Sequence, residues 1–269
     1  METKILIMKK PLVKVDVLDA SSEKSKNNSR RKFIKLGGLG IAGTSFLLYG
    51  CSEEEFNPGG SPDMPDPTPD PDPGMEVFDL GSGDVGILNY AYALEQLEAA
   101  FYTQVRAGAY YAGAPQEEKD LFDDLYNHEV IHRDFFKAAI TSVAGEENTL
   151  PDLEFDVSSI DFDSRDSVLA TAMALEDTGV GAYNGAGDRI ADATYLTLAG
   201  KIVSVEARHA SAIRSLINPD SADFAGDDIV NPENGLDVAY DPSEVFDIAG
   251  DFIVTEFTAN NLPEPMTGA

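Results

Sequence analysis

Leu125-Tyr126-Asn127-His128-Glu129-Val130-Ile131-His132-Arg133-Asp134-Phe135-Phe136 and Ile202-Val203-Ser204-Val205-Glu206-Ala207-Arg208-His209-Ala210-Ser211-Ala212-Ile213 can be laid over one another. Leu125, Glu129, His132 and Phe136 match Ile202, Glu206, His209 and Ile213 at identical spacings, in steps of four, three and four. Such steps mark one face of an α-helix. The inward stripe of the first stretch runs Phe122, Leu125, Glu129, His132, Phe136, Ile140, Val143; that of the second runs Ile202, Glu206, His209, Ile213, Leu216. Each apolar stripe is therefore interrupted at its middle by a carboxylate and an imidazole. An unpartnered carboxylate in such a place costs several kcal/mol, so a counter-charge is expected inside the helical core. One Glu-x-x-His is weak support for a metal ligand, but the chain has only three histidines and two of them fall at this spacing.

Two further helices pair in the same way. Leu88, Ala91, Ala93-Leu94-Glu95 and Tyr102 correspond to Leu169, Ala172, Ala174-Leu175-Glu176 and Tyr183. In both, a tyrosine follows the glutamate by about two helical turns and shares its face. Periodicity places four amphipathic helices at about 85–110, 116–143, 165–190 and 194–217. Asp84 is a candidate cap for the first, Pro115 suits the first position of the second, and Glu117 and Glu118 favour its opening turn. An acidic connection from about Gly145 to Ser164 is long enough to travel back along a bundle. Glu95 and Glu129 lie about equally far from the turn between them, as do Glu176 and Glu206. Glu95, Glu129, His132, Glu176, Glu206 and His209 should thus meet at one height in an all-α, four-helix bundle made of a repeated hairpin.

Other polar residues rank below these six. Glu98 is a rival ligand three residues after Glu95, but its counterpart in the repeat is Gly179. His128 falls on a different face from Glu129 and is expected to be exposed. Tyr102 and Tyr183 are candidates to hydrogen-bond ligands or pass electrons, against the plainer reading of packed core tyrosines. The alternative counter-charge is arginine. Arg106, Arg133, Arg189, Arg208 and Arg214 lie within the helices, and none falls on the Glu/His stripe.

Charge divides the chain at its only cysteine. Residues 1–51 hold 10 of 19 Lys+Arg and 4 of 48 Asp+Glu, leaving 9 basic against 44 acidic residues, a balance of −35. A surface so acidic repels nucleic-acid backbones and anionic headgroups and attracts cations. Ser29-Arg30-Arg31-Lys32-Phe33-Ile34-Lys35, with the uncharged stretch Leu36 to Gly50, reads as an export signal too short to span a bilayer. It resembles the twin-arginine signal, in which Arg30 and Arg31 are the paired arginines. Leu48-Tyr49-Gly50-Cys51 resembles a lipoprotein cleavage box with Cys51 as the lipidated residue. Residues 52–76, acidic and rich in Pro and Asp, read as an extended tether, the bundle follows over 77–217, and 218–269 reads as a loop-rich extension. In that extension Asp241-Pro242-Ser243-Glu244 can open a short helix.

Ala93-Leu94-Glu95-Gln96-Leu97-Glu98-Ala99-Ala100-Phe101-Tyr102, with the two Glu-x-x-His motifs, resembles the ferritin-like superfamily, and within it the secreted branch that includes desiccation-associated proteins. The resemblance implies a centre of two iron ions, or two manganese ions, reacting with O2 or H2O2. Glu129 and Glu206 would bridge, while each metal takes one histidine and one of Glu95 and Glu176. Four carboxylates and two neutral imidazoles balance two divalent ions. No short fifth helix of the cage-forming kind is evident, so the resemblance stops short of an iron-storage shell. The chemistry implied is ferrous-iron oxidation or O2/peroxide reduction in a lipid-anchored envelope protein, with catalase-like peroxide dismutation at manganese or a non-catalytic, stress-protective metal-binding module as alternatives. Subunit association is left open.

Overall fold

The structure is a computed structural model that describes residues 77–266. The expected export signal with Arg30 and Arg31, the lipidation site Cys51 and the tether up to residue 76 lie outside the described residues. Helix α1 spans Gly83–Ala107, the short α2 Ala109–Gly113, α3 Gln116–Ala144, α4 Arg165–Gly187, α5 Ala193–Ile217 and α6 Pro242–Ala249. Among the described residues, strands are confined to β1, Phe78–Asp79, and β2, Phe257–Thr258, which pair in parallel. The described residues are thus mostly helical. Helix α1 packs along α3 and α4 along α5, as two hairpins whose inward faces supply one core.

Local chemistry explains the ends. Pro115 stands just before α3, where its missing N–H costs nothing. Asp192 caps α5 by accepting from the backbone N–H groups of Thr194 and Tyr195. Asp241 and Glu244 form the capping box that the sequence suggests for α6. Asp84 behaves differently from expectation. Ser82 is the N-cap of α1, and the Asp84 carboxylate instead accepts from the N–H groups of Ala191 (2.7 Å) and Asp192 (2.9 Å), tying the start of one hairpin to the turn of the other. Val143, expected inside, is exposed because the stripe of α3 closes with a step of four, from Ile140 to Ala144.

The crossover from Gly145 to Ser164 has no strand or long helix to satisfy its backbone. Two buried amides on α1 take that role. Asn89 accepts from Leu150 N–H (2.9 Å) and donates to the carbonyls of Leu80 and Asn148. Gln96 accepts from Leu153 N–H (2.8 Å) and donates to Pro151. Arg165, at the far end of the crossover, donates to Glu118 on α3 and to the Leu216 carbonyl on α5, clamping three helix ends.

The segment after α5 packs back on the bundle. Arg214 pairs with Asp177 (2.6 Å) on α4 and Asp228 (2.9 Å) in the following loop. Tyr240 donates its N–H to the Gly181 carbonyl, and its backbone and ring occupy space that a Cβ at Gly185 or Gly181 would fill. Those α4 glycines permit this close approach. Val245 and Ala249 of α6 are buried, and Phe246 meets Tyr90 edge-on.

Asn89→Ala should lower stability by about 1–3 kcal/mol, since it strands buried backbone groups of the crossover. Urea denaturation checks this, with far-UV circular dichroism expected to remain native-like.

Candidate metal centre

Helical spacing sets the inward column of α1 as Leu88, Ala91, Glu95, Glu98, Tyr102 and that of α4 as Leu169, Ala172, Glu176, Gly179, Tyr183. Helices α3 and α5 contribute Glu129 with His132 and Glu206 with His209. The four glutamates are completely buried and His209 is 4 % exposed. All six groups predicted from the repeat come together at one height. Their oxygen and nitrogen atoms form two sets, Glu95, Glu129, His132 and Glu206 in one and Glu129, Glu176, Glu206 and His209 in the other, each with its atoms within 4.8 Å of one another. Glu129 and Glu206 belong to both sets.

The two oxygens of Glu206 divide between the sets. His132 Nδ1 lies 3.0 Å from Glu206 Oε1, 3.2 Å from Glu129 Oε2 and 3.3 Å from Glu95 Oε2. His209 Nδ1 lies 2.9 Å from Glu129 Oε1, 3.3 Å from Glu176 Oε2 and 3.4 Å from Glu206 Oε2. A single Nδ1–H cannot be shared among three carboxylates with good geometry. Accordingly Glu95 Oε2, Glu129 Oε1, Glu176 Oε2, both Glu206 oxygens and His209 Nδ1 are buried without a hydrogen-bond partner. Each such atom costs about 1–3 kcal/mol, a large sum against a typical domain stability of about 5–15 kcal/mol. Arginine does not offset it. Arg133 pairs with Asp134, Arg189 with Asp241, Arg214 with Asp177 and Asp228, and Arg106 with Asp123. A donor set of carboxylate oxygens and imidazole nitrogens pointing at two shared centres fits a pair of divalent cations.

Protons fill part of that role when no cation is bound. Burial pushes the Glu95 and Glu176 carboxyls up, Glu176 to about 8. Burial acts upward on Glu129 too, but the imidazoles of His132 and His209 beside it outweigh that and hold Glu129 down at about 2. For His132, burial works against the charged ring, yet the carboxylates of Glu129, Glu206 and Glu95 close around it overcome that and raise the imidazole to about 12. His209 is raised for the same kind of reason, with Glu176 the leading favourable partner.

The tyrosines cross between hairpins. Tyr102 of α1 donates to Glu176 of α4, and Tyr183 of α4 donates to Glu95 of α1. Each ring packs against a phenylalanine of α3, Tyr102 on Phe122 and Tyr183 on Phe136. Behind Tyr183 and Phe136 lies an apolar cavity of about 40 Å³, also lined by Ile87, Leu88 and Ile202. Two residues outside the six also bear on the centre. His128 is exposed as expected, but its ring stacks on His209 (5.2 Å) with Nδ1 2.9 Å from His209 Nε2, so it can accept the proton that fixes the His209 tautomer. Glu98, ranked below Glu95, is 3 % exposed and lies beside the site. The clue for His128 was that it precedes Glu129; its contact with α5 is not visible along one helix.

A model of the ferritin-like domain matches residues 83–219, about half of the chain. The chain belongs to this ferritin-like family. No curated protein matches it significantly. Family and geometry together describe a ferritin-like bundle with a buried Glu/His group that could hold metal.

Because uncompensated acids crowd this centre, Glu95→Gln should raise the Tm of metal-free protein by about 2–4 °C per kcal/mol of strain relieved. Calorimetry on chelator-treated samples is the check, and an unchanged or lowered Tm would count against the crowding described above.

Proposed function

We propose that the chain is a dinuclear-metal carboxylate protein whose ions are held by Glu95, Glu129, His132, Glu176, Glu206 and His209, with iron as the resident metal and ferrous-iron oxidation or reduction of O2 or peroxide as its reaction. The observation that carries this is the sharing of Glu129 and Glu206 between both ligand sets. Two ferrous ions held there would supply the two electrons that reduce a peroxide, or would pass electrons to O2. The chain's own residues do the rest. Glu129 and Glu206, common to both ligand sets, would help hold both ions, and His132 and His209 would each help hold one. Tyr102 and Tyr183 orient the Glu176 and Glu95 carboxylates through the hydrogen bonds that their hydroxyls donate. Burial and the adjacent carboxylates keep those phenols protonated. The small apolar cavity behind Tyr183 favours a molecule such as O2 over water near the site.

Anaerobic addition of ferrous ion should bind two ions per chain, and air should then produce near-ultraviolet ferric absorption. Glu129→Ala, which removes a shared ligand, and His209→Ala should each abolish that change. Parent-like iron oxidation in both variants would remove these residues from the centre. Manganese in protein isolated from its native host, with peroxide dismutation, would transfer the same ligands to the other metal. Stoichiometric binding without turnover would leave a metal-binding module.

The proton-filled state makes pH a second check. His132 is raised from an ordinary 6.5 to about 12, so its contribution to metal-free stability is complete below 6.5 and fades as pH rises toward 12. Glu176, raised from 4.5 to about 8, adds a loss in the same direction between those values. Cations must displace these protons, so their affinity climbs over the same interval. From pH 5 to 8, chelated protein should lose thermal stability while Mn2+-loaded protein gains it. Parallel slopes in the two scans would contradict the proton–metal exchange.

Export and lipid anchoring through Arg30, Arg31 and Cys51 belong to the same proposal and rest on the sequence motifs alone. Replacing both arginines by lysine should leave the protein in the cytoplasm, and Cys51→Ala should release it from membranes; fractionation and immunoblotting read both outcomes.

A further inference from the structure

The repeat that builds the centre is broken at one place inside it. Where α1 carries Glu98, α4 carries Gly179, one turn beyond Glu176. A Cβ at Gly179 would stand 3.0 Å from Glu98 Oε1 and 3.9 Å from Glu206 Oε2. The missing side chain on α4 is therefore the space that the Glu98 carboxylate occupies. Glu98 is 3 % exposed, and no hydrogen bond or ion pair to a described residue accounts for its burial. Among the described residues the one buried acid away from the centre, Glu118, is held by Arg165 and Tyr110.

The position of Glu98 is one-sided. Glu206 Oε2, the oxygen nearest Gly179, faces His209 at 3.4 Å, whereas Oε1 faces His132 at 3.0 Å. Gly179 also follows Glu176, which belongs to the His209 set and not to the His132 set. Both relations put Glu98 on the His209 side. Besides burial, the neighbours that act on its carboxyl are Glu129, Glu206 and Glu176 ahead of Glu95, in keeping with that placement.

Resting on the dinuclear reading above, we propose that Glu98 is an additional carboxylate ligand reserved for the metal at the Glu176/His209 subsite, so that the two subsites, related by the hairpin repeat, bind metal unequally. The His132 subsite has Glu95, Glu129, Glu206 and one imidazole. The His209 subsite has the matching four groups, and Glu98, outside that set but filling the Gly179 gap beside it, would be a fifth. A hard divalent ion favours the added oxygen, and Gly179 is the substitution that makes room for it.

Anaerobic titration of the full chain with Mn2+, followed by calorimetry, should show two ions bound with unequal constants. Glu98→Gln, nearly isosteric, should weaken only the tighter one, by about tenfold or more. Gly179→Ala, which must displace Glu98 Oε1, should weaken the same step. With Co2+ as the probe, loss of a ligand from one ion should intensify the visible absorption of that ion alone. In a His209→Ala background the effect of Glu98→Gln should vanish, and in His132→Ala it should persist. Two Mn2+ constants that are unchanged in both Glu98→Gln and Gly179→Ala would overturn the role of Glu98 and leave the six-residue centre standing. Failure of the parent chain to bind Mn2+ at all would instead overturn the centre itself.

Discussion

Everything in the bundle is arranged around four carboxylates and two imidazoles that share one dry volume with no arginine or lysine among them. In a low-dielectric core such a group is costly, and the structure leaves six of its atoms without hydrogen-bond partners. That debt shapes the surroundings. Tyr102 and Tyr183 come in from opposite hairpins to satisfy one oxygen each of Glu176 and Glu95, and Phe122 and Phe136 back those tyrosines. The aromatic layers above and below then exclude water, which strengthens whatever electrostatic attraction a cation would find there.

The same demand explains why the bundle is held so firmly at its ends. A ligand set works only if its members stay within a fraction of an ångström of their places. The crossover, which could otherwise be a loose strap, is stitched to α1 by Asn89 and Gln96. Arg165 joins the ends of α3, α4 and α5, and Asp84 joins the start of α1 to the turn before α5. The segment beyond α5 contributes as well, through Arg214, Tyr240 and the β1–β2 pair. Among the described residues, the buried side-chain polar atoms without a partner are concentrated at the centre, with the Tyr90 hydroxyl the exception outside it. That concentration marks the centre as a functional site rather than as a weakness of packing.

Pseudo-two-fold order runs through the core, yet the departures from it are where individual character lies. Glu98 faces Gly179 instead of a second glutamate, and His128 stacks on His209 with no counterpart histidine beside His132 among the described residues. Both asymmetries fall on the His209 side. The acidic exterior, at a formal −29 for the whole chain, adds a long-range attraction for cations approaching either subsite.

Sequence alone determined the helices, their inward columns and the height at which Glu95, Glu129, His132, Glu176, Glu206 and His209 meet, because a period of 3.6 residues and a repeated hairpin are local properties written along the chain. Its errors were local as well: Val143 was carried one step too far along a stripe, and Asp84 was given to its own helix. The tertiary structure decided what depends on residues far apart in the chain. It determined that each tyrosine serves the glutamate of the other hairpin, that His128 reaches His209, that Gly179 yields its space to Glu98, and that Gly181 and Gly185 seat Tyr240. Periodicity tells which face of a helix is buried, whereas the partner on that face is set by how four helices pack, and packing couples side chains that no single stretch of sequence contains.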